Sequence, residues 1–245
     1  MATVPQTKLK MLYAKLRPGW PISSSELAEL GISPYLAVHY ARSGWLVRIA
    51  RGIYRQPGEG LSLYPSLKLL EANLEGLHVG GKTALGWHGV RHYVIQQPVL
   101  HLYGLHAARL PLWFTSQFPA EYHRKRIFDE TGEELFYVSR VTGDATNPLV
   151  SDPERAWLEL LSEVGVRQPL DEVRELAGSV HALRVRVLRD LLTRCTSVKT
   201  VRLCLQMGRE MRAPWAAKLD ASTLPTGSKS PWVARTRDGL LVLPP

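Results

Sequence analysis

The chain has 245 residues, 45% hydrophobic and 22% charged, the balance of a globular protein long enough to fold without disulfides or bound metal. A formal charge of +9 favours an anionic partner, nucleic acid first among them. Cys195 and Cys204 are too few for a disulfide framework or a zinc set, Met1 to Lys10 has no signal-peptide core, and no stretch approaches the roughly 20 apolar residues of a membrane span. The expectation is a cytoplasmic protein with no cofactor and no membrane partner, its two cysteines buried as small hydrophobes.

Leu9, Leu12, Tyr13 and Leu16 fall at helical spacing and predict a helix over Gln6 to Leu16, ended by Pro18, Gly19 and Pro21. Ser23 to Leu30 is a short second helix, opened by a serine cap with Glu26 three residues on and followed by Gly31. Ser33 caps a third helix with Pro34 at its first position, running to about Ser43 and stopping at Gly44. Trp45 to Ile49 and Gly52 to Arg55 are β-prone runs that predict a hairpin. Beyond a hinge at Gln56 to Leu61, helices are predicted over Tyr64 to Leu77 and Lys82 to His88. Strands are predicted at Val99 to Tyr103, Leu112 to Thr115 and Leu135 to Val138. Helices follow at Glu154 to Val164, Leu170 to Ala177, Val180 to Thr193 and Val198 to Met211, and a last strand at Leu240 to Leu243. The fold class is α+β: an N-terminal winged helix-turn-helix at 1–58, then a larger mixed α/β domain at 61–245.

Helix, short helix, glycine turn, helix and hairpin is the order a winged helix-turn-helix requires. Gly31 supplies the positive φ of the turn, and small Ala28 is expected to let the two helices of the motif cross closely. On the third helix Leu36, Ala37, Tyr40 and Ala41 share an inward face, while Tyr35, His39 and Arg42 share the outward one. Arginine can contact guanine through two hydrogen bonds, and tyrosine and histidine can donate or stack, so the outward face suits base edges. Ser23, Ser24 and Ser33 are the candidate phosphate contacts at helix starts. Arg48, Arg51 and Arg55 are the candidate wing contacts to backbone or minor groove. Residues 1–60 hold eight Lys or Arg against three acids, so the basic surplus falls on this motif. A three-helix bundle with a hairpin also serves as a protein-interaction module, which keeps a second class open.

Ala50 to Arg55, just after the helix-turn-helix, resembles the wing of the AbiEi-type antitoxins, whose pattern there is a hydrophobic residue and then Arg-Gly-Val/Ile-Tyr. Thr83 to Val90 resembles the family's Ala-Leu-x-x-His-Gly-Leu helix. Ser151 to Ala156 resembles its Ser-x-Pro-Glu-Arg-Ala helix start, and the apolar strand near Leu240 its closing strand. The resemblance implies a transcriptional regulator of a type IV toxin–antitoxin, or abortive infection, system, with a role in phage defence. Its winged helix would bind inverted repeats of operator DNA and repress its own operon. Its C-terminal domain would neutralise a nucleotidyltransferase-like toxin, with or without direct contact. A winged-helix regulator with a sensing domain and no toxin is the alternative.

From Val180 to Arg209 there are seven Lys or Arg against one acid, and Arg186, Arg189 and Arg194 mark a second candidate basic surface beside the alternative of a solvated helix face. A DNA-targeted nuclease or ATPase is the enzyme alternative. Glu133 and Glu134 precede a predicted strand without the Glu-x-Lys of a nuclease, and Asp129 and Glu130 are placed in a turn. His88 and His92 lie four apart with no third metal ligand in view. Gly76 to Thr83 matches Gly-x-x-x-x-Gly-Lys-Ser/Thr, but a helical stretch precedes it and glycines break the helix after it, so a phosphate loop is not expected. No catalytic residue and no metal ligand is assigned.

Overall fold

The computed structural model describes residues 6–58, 60–90, 99–130, 135–236 and 239–244. Its N-terminal part runs through helix α1 (Gln6–Lys15), strand β1 (Ile22–Ser23), helices α2 (Ser24–Glu29) and α3 (Pro34–Arg42), and strands β2 (Val47–Ala50) and β3 (Ile53–Arg55). The serines that mark the helix starts act as caps. Ser23 Oγ accepts from the Glu26 N–H while the Glu26 carboxylate accepts from the Ser23 N–H, a complete capping box. Ser33 Oγ accepts from the Leu36 N–H. Gly31 has φ 74°, the left-handed turn that the tight connection needs. β3 pairs with β2 as a hairpin and, on its other edge, with the two-residue β1, which the sequence reading did not include. Leu12, Leu16, Leu27, Ile32, Ala37, Tyr40, Leu46 and Tyr54 form the buried core here. Ala28 is exposed, so its size does not govern the crossing of α2 and α3; Ala37 is the small residue that is fully buried.

The rest of the chain is built on a mixed sheet. Helix α4 (Leu63–Glu71) leads to β4 (His78–Val79), α5 (Gly81–Trp87), β5 (Leu100–Gly104), α6 (Leu112–Thr115), β6 (Ala120–Arg124), β7 (Val138–Arg140) and β8 (Leu149–Ser151). The order is β6-β5-β4-β8-β7. β4 runs antiparallel to β5 and parallel to β8, while the outer pairs are parallel for β5 and β6 and antiparallel for β7 and β8. Helices α7 (Pro153–Glu163), α8 (Leu170–Ala177), α9 (Val185–Thr193) and α10 (Val198–Glu210) follow, and the hairpin of β9 (Trp232–Thr236) and β10 (Gly239–Leu243) comes last. Every residue of α7 from Glu154 to Glu163 is buried, with Trp157 and Leu161 packed among Ala84 and Leu85 of α5 and Val201 and Cys204 of α10. Cys195 and Cys204 are free and buried, and burial pushes both thiol pKa values up.

Several elements differ from the sequence reading. Leu112 to Thr115 is a helix, not a strand. Pro111 precedes it with its carbonyl accepting from the Phe114 and Thr115 N–H groups, and fully buried Phe114 packs edge-on to Trp113. A four-residue apolar run carries no period that separates the two states. Leu135 to Val138 is not a strand either: Tyr137 has φ 55° and the strand starts at Val138. The turn is held by its polar contacts, since the Phe136 N–H donates to Glu130 and the Phe136 carbonyl accepts from Arg155. Glu130, expected in a turn, is buried on that guanidinium. α4 ends at Glu71, where Asn73 Nδ2 donates to the Leu69 carbonyl. α9 begins at Val185, its cap residue Arg184 fixed by an N–H donated to Glu154. His92, Glu133 and Glu134 lie outside the described residues.

Candidate nucleic-acid interface

Helix α3 divides its side chains as its sequence spacing requires. Ala37 and Tyr40 are buried and Leu36 and Ala41 pack partly against the same core, leaving Tyr35 (85% exposed), His39 and Arg42 together in solvent. His39 and Arg42 lie in the last turn of α3, where positive charge is favoured by the helix dipole. Trp45 anchors the far end: the Tyr13 hydroxyl donates to its carbonyl at 2.7 Å, and the two rings meet edge to face. α3 is thereby tied to α1, and its outward face is carried on a braced support.

The wing turns at Gly52, φ 73°, with Arg48 and Arg51 exposed and Arg55 half-buried. Arg48 Nε donates to the Ala50 carbonyl, and Arg55 Nη1 to the Gln56 carbonyl. The Ser24 N–H donates to the Gly52 carbonyl at 2.7 Å, and a side chain at position 52 would meet Ser24 Oγ at 3.1 Å. The start of α2 is therefore joined to the tip of the wing. The same contacts use up groups that the sequence offered to phosphate. The Ser23 and Ser33 hydroxyls both accept helix-capping bonds, and Ser23 Oγ also meets Ser25 Oγ at 2.8 Å, which leaves Ser25 the exposed hydroxyl of the three consecutive serines.

The second basic stretch is less open than its composition. Arg186 and Arg189 are exposed on α9, Arg189 donating to the Lys218 carbonyl. Arg194 pairs with Asp190 at 3.3 Å and lies over the Phe136 ring. Arg184 pairs with Asp152 and Glu154, and Lys199 donates to the Ser162 and Val164 carbonyls. Arg202 is buried and donates to carbonyls of Thr226, Ser228, Ser230 and Leu243, holding the C-terminal loop and β10.

Gly80 and Gly81 form no empty cradle. The Gly81 N–H donates to Glu159 Oε2, a methyl at Gly80 would run into Glu159 and Tyr103, and Lys82 pairs with Glu172 at 3.0 Å. The anion held by this glycine turn is the chain's own carboxylate. Glu159 also accepts from Ser151 Oγ, from His78 Nε2 at 2.8 Å and from Arg155 Nε at 2.7 Å, and Arg155 continues the line to Glu130. Burial works against the ionised form, but His78 and Arg155 overcome it and hold the Glu159 pKa down at about 2. This line is not visible in the sequence. Its signal was the i, i+4 pair Arg155 and Glu159 inside an apolar helix, which looks the same as a solvated charged face until another element covers it. The line also explains two segments singled out earlier. Ser151, Asp152, Glu154 and Arg155 all make polar contacts that lock α7 in place, and His88 Nε2 donates to the Ser151 carbonyl at 3.0 Å.

A second polar group lies at the sheet edge. His101 Nδ1 and His123 Nε2 are 2.9 Å apart, and His123 Nδ1 is 3.0 Å from Arg167 Nη1. Arginine only donates, so His123 Nδ1 accepts and His123 Nε2 donates to His101 Nδ1. Burial, with Lys82 and His123 adding to it, lowers the His101 pKa to about 3, so this ring is neutral. Among the described residues, His101, Glu121 and His123 are a set with the ligand types and spacing to hold a metal ion.

A family described as transcriptional regulator, AbiEi antitoxin, Type IV TA system matches residues 97–243, and one described as the N-terminal domain of the AbiEi antitoxin regulators matches residues 5–96. The crystal structure of the RV2827C protein from Mycobacterium tuberculosis is similar in fold, with TM-score 0.57 and 16% identity over 96% of this chain and 90% of that one. No curated protein matches. The join between the two family matches does not coincide with the end of the N-terminal core: β4 and α5 fall in the match over residues 5–96 but pack in the core of the five-stranded sheet. Among the described residues no helix is long and apolar enough to cross a membrane.

Proposed function

Because the chain belongs to the AbiEi antitoxin family of type IV toxin–antitoxin transcriptional regulators, regulatory proteins rather than enzymes, we propose that residues 1–58 are its operator-binding unit and residues 61–245 its antitoxin unit. In this reading α3 enters the major groove and presents Tyr35, His39 and Arg42 to base edges of an inverted repeat. Arg48, Arg51 and Arg55 on the wing lie along the flanking backbone, and Ser23, Ser24 and Ser33 come near phosphates mainly through the helix starts they shape. Binding represses the operon, and the larger unit neutralises a nucleotidyltransferase-like toxin. The observation that carries the reading is the exposed row Tyr35, His39 and Arg42 on a helix whose opposite face packs on the core through Ala37 and Tyr40. Arg186, Arg189 and Arg194 are a weaker nucleic-acid surface, because Arg189 and Arg194 are already engaged within the chain.

A gel-shift titration of the chain's own promoter with Arg42→Ala and Arg51→Ala tests it. Arg42→Ala is expected to cost about 1–3 kcal/mol on the specific site and to relax preference at one base position. Arg51→Ala is expected to weaken specific and non-specific binding alike, lowering the salt slope by about 1. Affinity unchanged in both sinks the assignment. The doubly substituted full chain should lose repression and still rescue cells from the toxin; loss of rescue would refute the division of labour.

A further inference from the structure

β5 and β6 run parallel in a register that pairs His101 with Glu121 and Tyr103 with His123. Strand alternation places Glu121 and His123 on one face of β6, and His101, opposite Glu121, on the same face. Three ligand atoms meet there: His101 Nδ1 and His123 Nε2 at 2.9 Å, His123 Nε2 and Glu121 Oε2 at 3.9 Å, and all within 4.8 Å of one another. We propose that His101, His123 and Glu121 bind a divalent transition-metal ion through these three atoms, a two-histidine, one-carboxylate set at the edge of the five-stranded sheet.

Both rings are buried. His123 stacks on Tyr103 with ring centroids 4.7 Å apart, and the backbone N–H of His101 donates to Thr83 Oγ1, which fixes its place on β5 while its ring Nε2 has no partner. Metal–nitrogen bonds of about 2.0–2.1 Å put two ligand nitrogens about 2.9–3.4 Å apart for right-angle to tetrahedral geometry, so the observed spacing fits the right-angle end. Glu121 is half-exposed, and a rotamer change brings its oxygen the rest of the way.

Behind His123 lies Glu163, buried, with His123 Nδ1 at 3.4 Å and Lys125 Nζ at 3.1 Å from its Oε1, yet neither carboxylate oxygen accepts a bond of proper geometry. Lys125 is therefore an ionic neighbour, and the carboxylate lacks a well-aligned donor. A His123 that ligates through Nε2 carries its proton on Nδ1 and supplies that donor, while exposed Arg167 swings away. This is the carboxylate–histidine–metal relay that orients ligands in metal sites. The nearby cations oppose a dication, but Lys82 is paired with Glu172 and Lys125 with Glu163.

The full chain, stripped with a chelator and titrated calorimetrically with Zn²⁺, is expected to take up one ion per chain. Glu121→Gln should weaken it at least ~10-fold, and Glu163→Gln should weaken it in the range of a lost outer-shell partner, ~10-fold or more. His101→Ala and His123→Ala should abolish it. Should a histidine variant fail to fold, Glu121→Gln, altered at an exposed side chain, decides alone, read also through the visible absorption of the Co²⁺ form. No saturable uptake by the unaltered chain, or an affinity that Glu121→Gln leaves unchanged, overturns the site.

Discussion

Replacing Arg155 with methionine removes a guanidinium that is almost wholly buried. Its Nε and Nη groups donate to Glu159 Oε1 at 2.7 Å, to both oxygens of Glu130, and to the Phe136 carbonyl at 2.7 Å, and its plane lies 4.9 Å over Phe128. Glu159 would keep His78, Ser151 and the Gly81 N–H. Glu130 would keep the Phe136 N–H, a single partner for a buried charge. Breaking a buried pair in this one-sided way costs about 3–5 kcal/mol. For a unit of this size that is a fall in melting temperature of roughly 10 °C. Urea unfolding followed through tryptophan fluorescence measures it, since Trp157 and Trp215 are buried in the same core. The double variant Arg155→Met, Glu130→Leu should recover part of the loss, because the stranded carboxylate is gone. A single variant within about 1 kcal/mol of the parent would refute the view that this ion line holds α7 to the sheet. A double variant no better than the single would assign the loss to packing instead.

Acid should weaken the same region. The Glu159 carboxyl has an ordinary pKa of 4.5 and a folded value of about 2, so its stabilisation is complete above 4.5 and fades as pH falls toward 2. The whole shift amounts to about 3 kcal/mol, of which about 2 kcal/mol is lost between pH 6 and pH 3 and read as a falling urea midpoint; a midpoint constant over that range would contradict it. Gly52→Val forces a branched side chain to φ 73° against Ser24, and should cost the N-terminal part about 1–3 kcal/mol and lower operator affinity with Arg51 still present. Thermal unfolding and gel shift check it. Ser33→Ala should cost about 1 kcal/mol through the lost cap, measured by thermal unfolding, and no loss would mean that the Leu36 N–H finds another partner.

The winged helix was legible because its code is local. Ser23 with Glu26, Ser33 with Pro34, and Gly31 and Gly44 each fix one helix end within four residues, and the 3.6 period of α3 separates its two faces. The helices around Trp157 were legible for the same reason. What escaped depends on partners far along the chain. β1 exists only because β3 returns to it. Tyr137 leaves the extended conformation beside backbone groups bound to Glu130 and Arg155. The shared exposure of Tyr35, His39 and Arg42, the row proposed to read bases, followed from helix geometry. The fate of Ser23, Lys199 and Arg202 did not, because a polar side chain looks the same in sequence whether it faces solvent, a cap or a carbonyl.

The carboxylate held by Gly80 and Gly81 has a kinetic meaning. Glu159 lies 78 residues beyond the Gly81 amide and 81 beyond His78, so the turn stays incomplete until α7 has docked. Contacts across such a span form late, after much chain entropy has been lost. Until then the glycine amide, the imidazole and the two carboxylates flanking Arg155 are still wet, and the apolar side of α7 has no committed register. An α7 packed one turn out of place would leave these charges buried without partners, so their pairing favours a single register of α7 on the sheet.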